Sequence, residues 1–130
     1  MKYLCLVFVD EKKLESLSKA ESQTLDDESL AYDQTLREEG HLLAAHALQS
    51  VREAVTIRPK KGGRVVTDGP FAEAREQVGG FILIEAKDMK EAVAIAAKIP
   101  PLRLGGIEIR AIKELTSSAE LKKRDPKNKN

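Results

Sequence analysis

The chain has no tryptophan, a single cysteine, two histidines, and aromatic residues at only 4% of its 130 positions. So few aromatic rings leave few candidates for stacking on nucleic-acid bases. One thiol cannot form an internal disulfide, and cysteine and histidine are too scarce to support a metal site. Cys5 lies in the apolar run YLCLVFV, which holds no Arg or His, so we expect a buried structural thiol and not a nucleophile. This cysteine usage favours a cytoplasmic location.

Long apolar runs are also missing, and no membrane-spanning helix is expected because that would need about 18 consecutive apolar residues. The apolar residues 1–9 are followed at once by the charged sequence DEKK. Since a signal peptide would need a basic start and a small-residue cleavage site, we expect a first strand there. The sequence therefore predicts a protein that neither crosses nor binds a membrane.

The chain also lacks a strong net charge, since its formal charge is only +1. Residues 116–130 hold five Lys and Arg against two Asp and Glu, which leaves residues 1–115 slightly acidic. An acidic body has no electrostatic footprint for nucleic acid. The pattern predicts one domain over residues 1–115 and a disordered, charged tail over residues 116–130.

The periodicity of apolar residues predicts the order strand, helix, strand, strand, strand, helix, strand. Ser18 with Glu21, and Asp88 with Glu91, have the spacing of helix-capping pairs. A turn at KKGG joins two strands into a hairpin that is added to an otherwise ferredoxin-like plan. The predicted fold class is therefore α+β, ferredoxin-like with an extra hairpin.

Two helices can cover only one face of a sheet of four or more strands. The first strand and the strand at 80–86 are nevertheless apolar on both sides. We therefore expect a second copy to cover the other face, which would give a homodimeric α+β barrel with an interior cavity. The alternative is a monomer in which segment 68–79 folds over that face.

The stretch TDGPFAEAREQVGGFILIEAKDMKEAVAIAAKIP, residues 67–100, resembles the signature of the YCII-related proteins that carry a DGPF motif. The sequences MKYLCLVF and GGIEIRAI fall where that family has its first and last strands. The positions that match the motif are Asp68, Gly69, Pro70, Phe71, Glu73, Glu76, Gly79 and Gly80. The resemblance covers residues 1 to about 115 and implies a ferredoxin-like fold that dimerises into a barrel, but no settled activity.

The motif also suggests a site. In the functional interpretation Asp68 points into the mouth of the barrel as a base, or orients a histidine, while Arg75 or Arg64 binds an anionic group of the substrate. Arg75 stands where relatives commonly carry Lys, which keeps the charge but excludes a deprotonatable amine. In the alternative interpretation Asp68 only caps a turn, and Glu73, Arg75 and Glu76 form a solvated surface. Phe71 is predicted to anchor the loop in the core.

Four further residues are candidates. His41 and His46 are five positions apart, so on one continuous strand they would face opposite sides, and at most one could assist Asp68. The apolar neighbours of both residues favour a structural histidine in each case. Glu108 and Arg110, on the polar side of the last strand, could line the cavity, lie at a dimer interface, or face solvent.

These patterns lead to one main hypothesis and two alternatives. The main one is a homodimer whose cavity binds a small organic molecule, with acid/base chemistry at Asp68 assisted by His41 or His46, and without metal or cofactor. The second is a non-catalytic ligand-binding or interaction module, for which the resemblance implies a link to sigma-factor-dependent transcription. The third is a structural dimer whose barrel is filled with side chains.

Overall fold

Six strands and four α-helices follow one another along residues 1–124, the part of the chain that the computed structural model describes. Their bounds in chain order are β1 Lys2–Asp10, α1 Glu11–Glu15, α2 Lys19–Glu38, β2 Leu42–Ala47, β3 Val55–Lys60, β4 Gly63–Asp68, β5 Glu76–Glu85, α3 Met89–Ala96, β6 Gly105–Ala111 and α4 Ser118–Arg124. Short 3₁₀ helices occupy Val51–Glu53 and Pro100–Leu104.

Four strands form one antiparallel sheet in the order β2-β5-β1-β6, and β3 pairs only with β4 in a separate two-stranded hairpin. With the hairpin set aside, this is the strand order of a ferredoxin-like fold, in which helices connect the strands on one side of the sheet. The predicted α+β class and the inserted hairpin are confirmed.

The helix boundaries follow the predicted caps. Ser18 accepts a hydrogen bond from the backbone N–H of Glu21, whose side chain accepts from the N–H of Ser18 in return. Asp88 accepts from the N–H of Glu91 at the start of α3. The Tyr32 hydroxyl on α2 donates to the carbonyl of Ile95 on α3 at 2.6 Å and so ties the two helices together.

Three segments differ from the prediction. Strand β5 begins at Glu76 instead of Gly80, because its polar first residues continue the ladder with β1 past a bulge at Val7/Phe8. Helix α1 was not predicted, and its start is capped by the side chain of Asp10. Helix α4 lies in the predicted disordered tail, where Ser117 accepts from the N–H of Glu120 and all seven helical residues are exposed. The remaining tail residues, 125–130, lie outside the described part.

The core lies between the sheet and the helices and is built from alternate residues of β1 and β5 with one face of α2 and α3. Cys5 is at its centre and is fully buried, as predicted. Burial raises the pKa of its thiol to about 11, because the thiolate cannot be solvated there.

We expect Cys5 to react with a thiol reagent at pH 8 at least about a hundredfold more slowly in the native protein than in urea. The reason is that both access and the thiolate fraction are reduced in the folded state. Absorbance of the released chromophore from a disulfide reagent measures both rates. Equal rates would mean that the first strand opens readily.

The opposite side of the sheet is also apolar, as the sequence predicted. We call it the open face, because its side chains point away from the helices and are only partly buried. It consists of Leu4, Leu6, Phe8, Phe81 and Leu83.

Candidate functional site

A cavity of about 680 Å³ lies between α2 and the β2–β5 half of the sheet, on the side that the helices cover. Helix α2 packs over this half, while α3 packs over β1 and β6. Four of the strand residues that line the cavity here are small: Ala45, Ala47, Gly79 and Gly80. Because they carry a methyl group or no side chain, the space below α2 stays unfilled. The expected site was between two sheets; this cavity lies on the other side of the sheet.

The cavity walls are apolar apart from one class of charged group. Val7, Val9, Leu25, Leu30 and Leu104 supply hydrocarbon surface. Four carboxylates line it as well, from Glu11, Glu15, Asp26 and Asp33, and none of the described lining residues is Lys or Arg. Hydroxyl groups of Ser22, Ser29 and Ser50 complete the polar set. Within residues 1–124, no three His, Cys, Asp or Glu side chains come together as a metal site would require.

Asp33 is the carboxylate whose acidity the site changes. It lies partly buried on α2, and desolvation raises the pKa of its carboxyl group, although the nearby charge of Arg37 lowers it in part. An aspartate of this kind keeps its proton to a higher pH than a solvated one does. Asp33 is therefore the lining group best suited to exchange a proton with a ligand.

The rim of the cavity is held by α1. Glu11 accepts a hydrogen bond from the N–H of Val51 at 3.0 Å and another from the Ser50 hydroxyl at 3.2 Å. Glu15 pairs with Arg52 at 2.6 Å. These contacts fix the chain between β2 and β3 against the body of the protein. In the sequence, Glu11 and Glu15 lie four positions apart after Asp10, the residue that caps α1. This spacing did not lead to a predicted helix, because α1 has only five residues.

Of the nine residues predicted from the sequence, His46 is the one that borders this cavity, but its position opposite Phe81 in the ladder places its side chain on the open face. It is exposed on β2, and its ring lies tilted at 5.6 Å from the ring of Phe81. His41 lies just before β2, and its Nδ1 donates to the carbonyl of Glu85 at 2.8 Å. The N–H of Glu85 donates back to the carbonyl of His41. These two hydrogen bonds fit the structural role that the sequence favours for each histidine.

Asp68 ends β4 and is exposed. The turn after it folds back on β3, because the N–H of Gly69 donates to the carbonyl of Ala54 at 2.7 Å and the Thr56 hydroxyl donates to the carbonyl of Gly69 at 2.8 Å. Gly69 has a φ of +104°, a conformation that favours glycine, as the motif predicted. The DGPF sequence therefore closes the base of the hairpin.

Phe71 corrects a prediction. Its side chain is 70% exposed and does not reach the core. The guanidinium group of Arg58 lies over its ring at 4.3 Å and also donates to its carbonyl oxygen. Within residues 1–124 neither strand of the hairpin makes extensive contact with the helices or the main sheet, so no layer there buries Phe71.

The other predicted residues are distributed over two places. Arg64, Glu73 and Arg75 are exposed on the hairpin and on the loop that follows it. Glu76 and Glu108 meet at a shallow depression of about 370 Å³ that Phe8 also lines. Arg110 pairs with Leu4 and Glu108 with Leu6, so the polar side of β6 belongs to the open face.

Within one protomer Asp68 and His41 do not come together. His41 lies beside Glu85, at one end of β5, whereas the hairpin that carries Asp68 leads into Glu76, at the other end. Ten residues of extended strand, about 30 Å, separate these ends. The structure therefore does not bring Asp68 and His41 together within one protomer, and the assistance of Asp68 by a histidine stays a prediction.

Residues 1–116 match the family of YCII-related domains. An uncharacterised protein of Rhizobium meliloti (strain 1021) is 32% identical over 114 residues, which span 86% of this chain and 92% of that protein. The chain belongs to the YCII-related family. The resemblance noted in the sequence is thereby confirmed.

This YCII-related chain is also similar in structure to 5-chloro-2-hydroxyhydroquinone dehydrochlorinase from Burkholderia phenoliruptrix AC1100, in its complex with 2,5-dihydroxybenzoquinone. The TM-score is 0.51, with 14% identity over 87% of this chain and 94% of that one. At this identity the similarity concerns the fold. In residues 1–124 no helix is both long and apolar enough to cross a membrane, and the cytoplasmic location stays a prediction.

Proposed function

We propose that this YCII-related protein binds a small organic molecule in the cavity below α2, and that the molecule combines an apolar body with a cationic or hydrogen-bond-donating group. The observation that carries the proposal is the composition of the lining: apolar walls, four carboxylates, of which Glu15 already pairs with Arg52, and, among the described lining residues, no Lys or Arg. Carboxylates accept hydrogen bonds and repel anions. An anionic substrate held by Arg64 or Arg75, as the motif suggested, does not suit this cavity.

The volume supports the same proposal, since small-molecule sites commonly measure about 300–1,000 Å³. The dehydrochlorinase of similar fold was solved with 2,5-dihydroxybenzoquinone, a single ring of a size that this cavity could hold. Acid/base chemistry would then fall to Asp33, whose raised pKa places its proton exchange closer to neutral pH. Asp68 would not take part within the same protomer.

The proposal includes a homodimer that forms through the open face. Five apolar side chains there are only partly buried, and a second copy can cover them by two-fold symmetry. The cavity lies on the opposite, helix-covered side of the sheet. Dimerisation would therefore leave the cavity accessible to a ligand.

We expect a thermal-shift screen of small ring compounds, supplied as matched amines, alcohols and carboxylic acids, to show stabilisation by amines and alcohols. A compound present at a hundred times its Kd would stabilise the folded state by about 2.7 kcal/mol. For an amine, Asp33→Asn should weaken binding about tenfold, because a charge-assisted hydrogen bond is lost. The affinity of the amine should also fall as the pH is lowered through the raised pKa of Asp33, since the protonated acid has no charge.

Asp27→Asn is the matched control, because Asp27 lies on the same helix, is exposed, and accepts only from Gln23 nearby. It should leave the affinity within about twofold. Stabilisation by carboxylic acids alone, or an equal effect of the two variants, would contradict the proposed ligand class.

A further inference from the structure

The geometry points to the hairpin β3–β4 as an arm that packs against a second copy of the chain. We call residues 55–68 the arm. This inference rests on the homodimer of the proposed function and adds to it a second contact surface, separate from the open face. It also gives the DGPF motif a role, which is to fix the base of the arm.

The arm has an apolar side that its own protomer leaves exposed. Ile57 lies opposite Val66 in the ladder and Val55 lies opposite Asp68, so the three apolar residues share one side. Their exposed fractions are 59% for Val55, 63% for Ile57 and 56% for Val66. Within residues 1–124, the extensive contacts of β3 and β4 are with each other. A two-stranded hairpin alone is at best marginally stable in water, so this arm needs a surface to pack on.

The base of the arm is nevertheless fixed. Glu11 holds Ser50 and Val51 on the approach to β3, and the Gly69 turn is bonded to Ala54 and Thr56 on the way out. The arm therefore has a fixed point of attachment to the body of the protein. Six residues of strand reach about 20 Å, which is enough to cross the width of a four-stranded sheet.

Charge selects a second copy as the partner. The arm carries Arg58, Lys60, Lys61 and Arg64 against the single acid Asp68. The rest of residues 1–115 holds thirteen Lys and Arg against eighteen Asp and Glu. A basic arm and an acidic body on one chain are complementary between two copies, and a two-fold axis lets both arms pack at once.

The test is the dimer dissociation constant of the full chain, measured by sedimentation. The double variant Ile57→Thr with Val66→Thr keeps β-branched residues in the arm and makes its apolar side polar. We expect it to weaken the dimer at least about tenfold, because each change counts twice across a symmetric interface. Val65→Thr is the matched control, because Val65 lies opposite Arg58 on the other side of the arm, and it should change the constant less than about threefold.

A second variant distinguishes loss of the arm contact from misfolding of the chain. Replacing residues 57–66 by an Asn-Gly turn removes the arm outside the core, and circular dichroism checks that the body is intact. This variant should also weaken the dimer at least tenfold. A dimer that both variants leave unchanged would overturn the arm while keeping the open-face dimer. A wild-type chain that stays monomeric at high concentration would overturn both, whereas the ligand screen would still test the cavity independently.

Discussion

Gly105→Ala is expected to lower the free energy of unfolding by about 3 kcal/mol or more, while Gly106→Ala at the next position changes it by less than about 0.5 kcal/mol. A methyl group on Gly105 would lie 2.1 Å from the carbonyl oxygen of Phe8 and 2.8 Å from its carbon. Both are backbone atoms of β1, the central partner of β6, so neither can move without breaking the ladder. A methyl group on Gly106 meets nothing within 4 Å.

The loss expected at Gly105 comes from the close approach of two strands. Its φ of −177° does not lie in the left-handed region that favours glycine. At Gly106 the lower entropy of the unfolded chain would offset any small cost. Urea denaturation followed by circular dichroism measures both variants. Equal losses at the two positions would show that β6 does not lie as close to β1 as the structure indicates.

Much of this fold could be predicted because its signals are local. The Ser18 and Asp88 caps, the Gly40 stop at φ +80° and the KKGG turn each depend on residues a few positions apart. Apolar residues at successive positions of β1 and β5 predicted that both faces of these strands are apolar. The parts that were missed lacked such a signal. Helix α1 is only five residues long, and the start of β5 is polar and forms a strand because β1 pairs with it.

The candidate site could not be predicted in the same way. In the sequence, Asp33 is one of many acids on a long helix, and nothing local distinguishes it from Asp27. It matters because α2 crosses Ala45, Gly79 and Gly80. Ala45 is more than thirty positions from the two glycines in the sequence, and these small residues leave a void only where the fold brings them together under α2. The charged residues around the DGPF sequence suggested a functional site. In the structure the hydrogen bonds of this turn join the two strands of the arm at its base. Because Phe71 is aromatic, the sequence predicts a core position for it. The side chain is exposed instead, since within residues 1–124 no helix or further strand packs extensively on the hairpin.

Two leucines on α2 should separate stability from binding. Leu36→Ala is expected to lower the free energy of unfolding by about 2–5 kcal/mol, because Leu36 is 1% exposed and its removal leaves a cavity in the core. Leu30→Ala should cost less than about 0.5 kcal/mol, because Leu30 is 67% exposed. Leu30 lines the ligand cavity and Leu36 does not. Leu30→Ala should therefore weaken an amine found in the screen about fivefold, through the loss of apolar contact.

Urea denaturation gives the two stabilities, and calorimetric titration at a temperature where both variants are folded gives the two affinities. Leu36→Ala should bind the amine within about twofold of the wild type, since its side chain belongs to the core cluster with Leu25 and Tyr3. The opposite pattern, with Leu36→Ala losing affinity and Leu30→Ala keeping it, would place the ligand away from the cavity below α2. Because small residues leave this space open while the core beside it is filled, binding and stability should respond to different side chains of one helix.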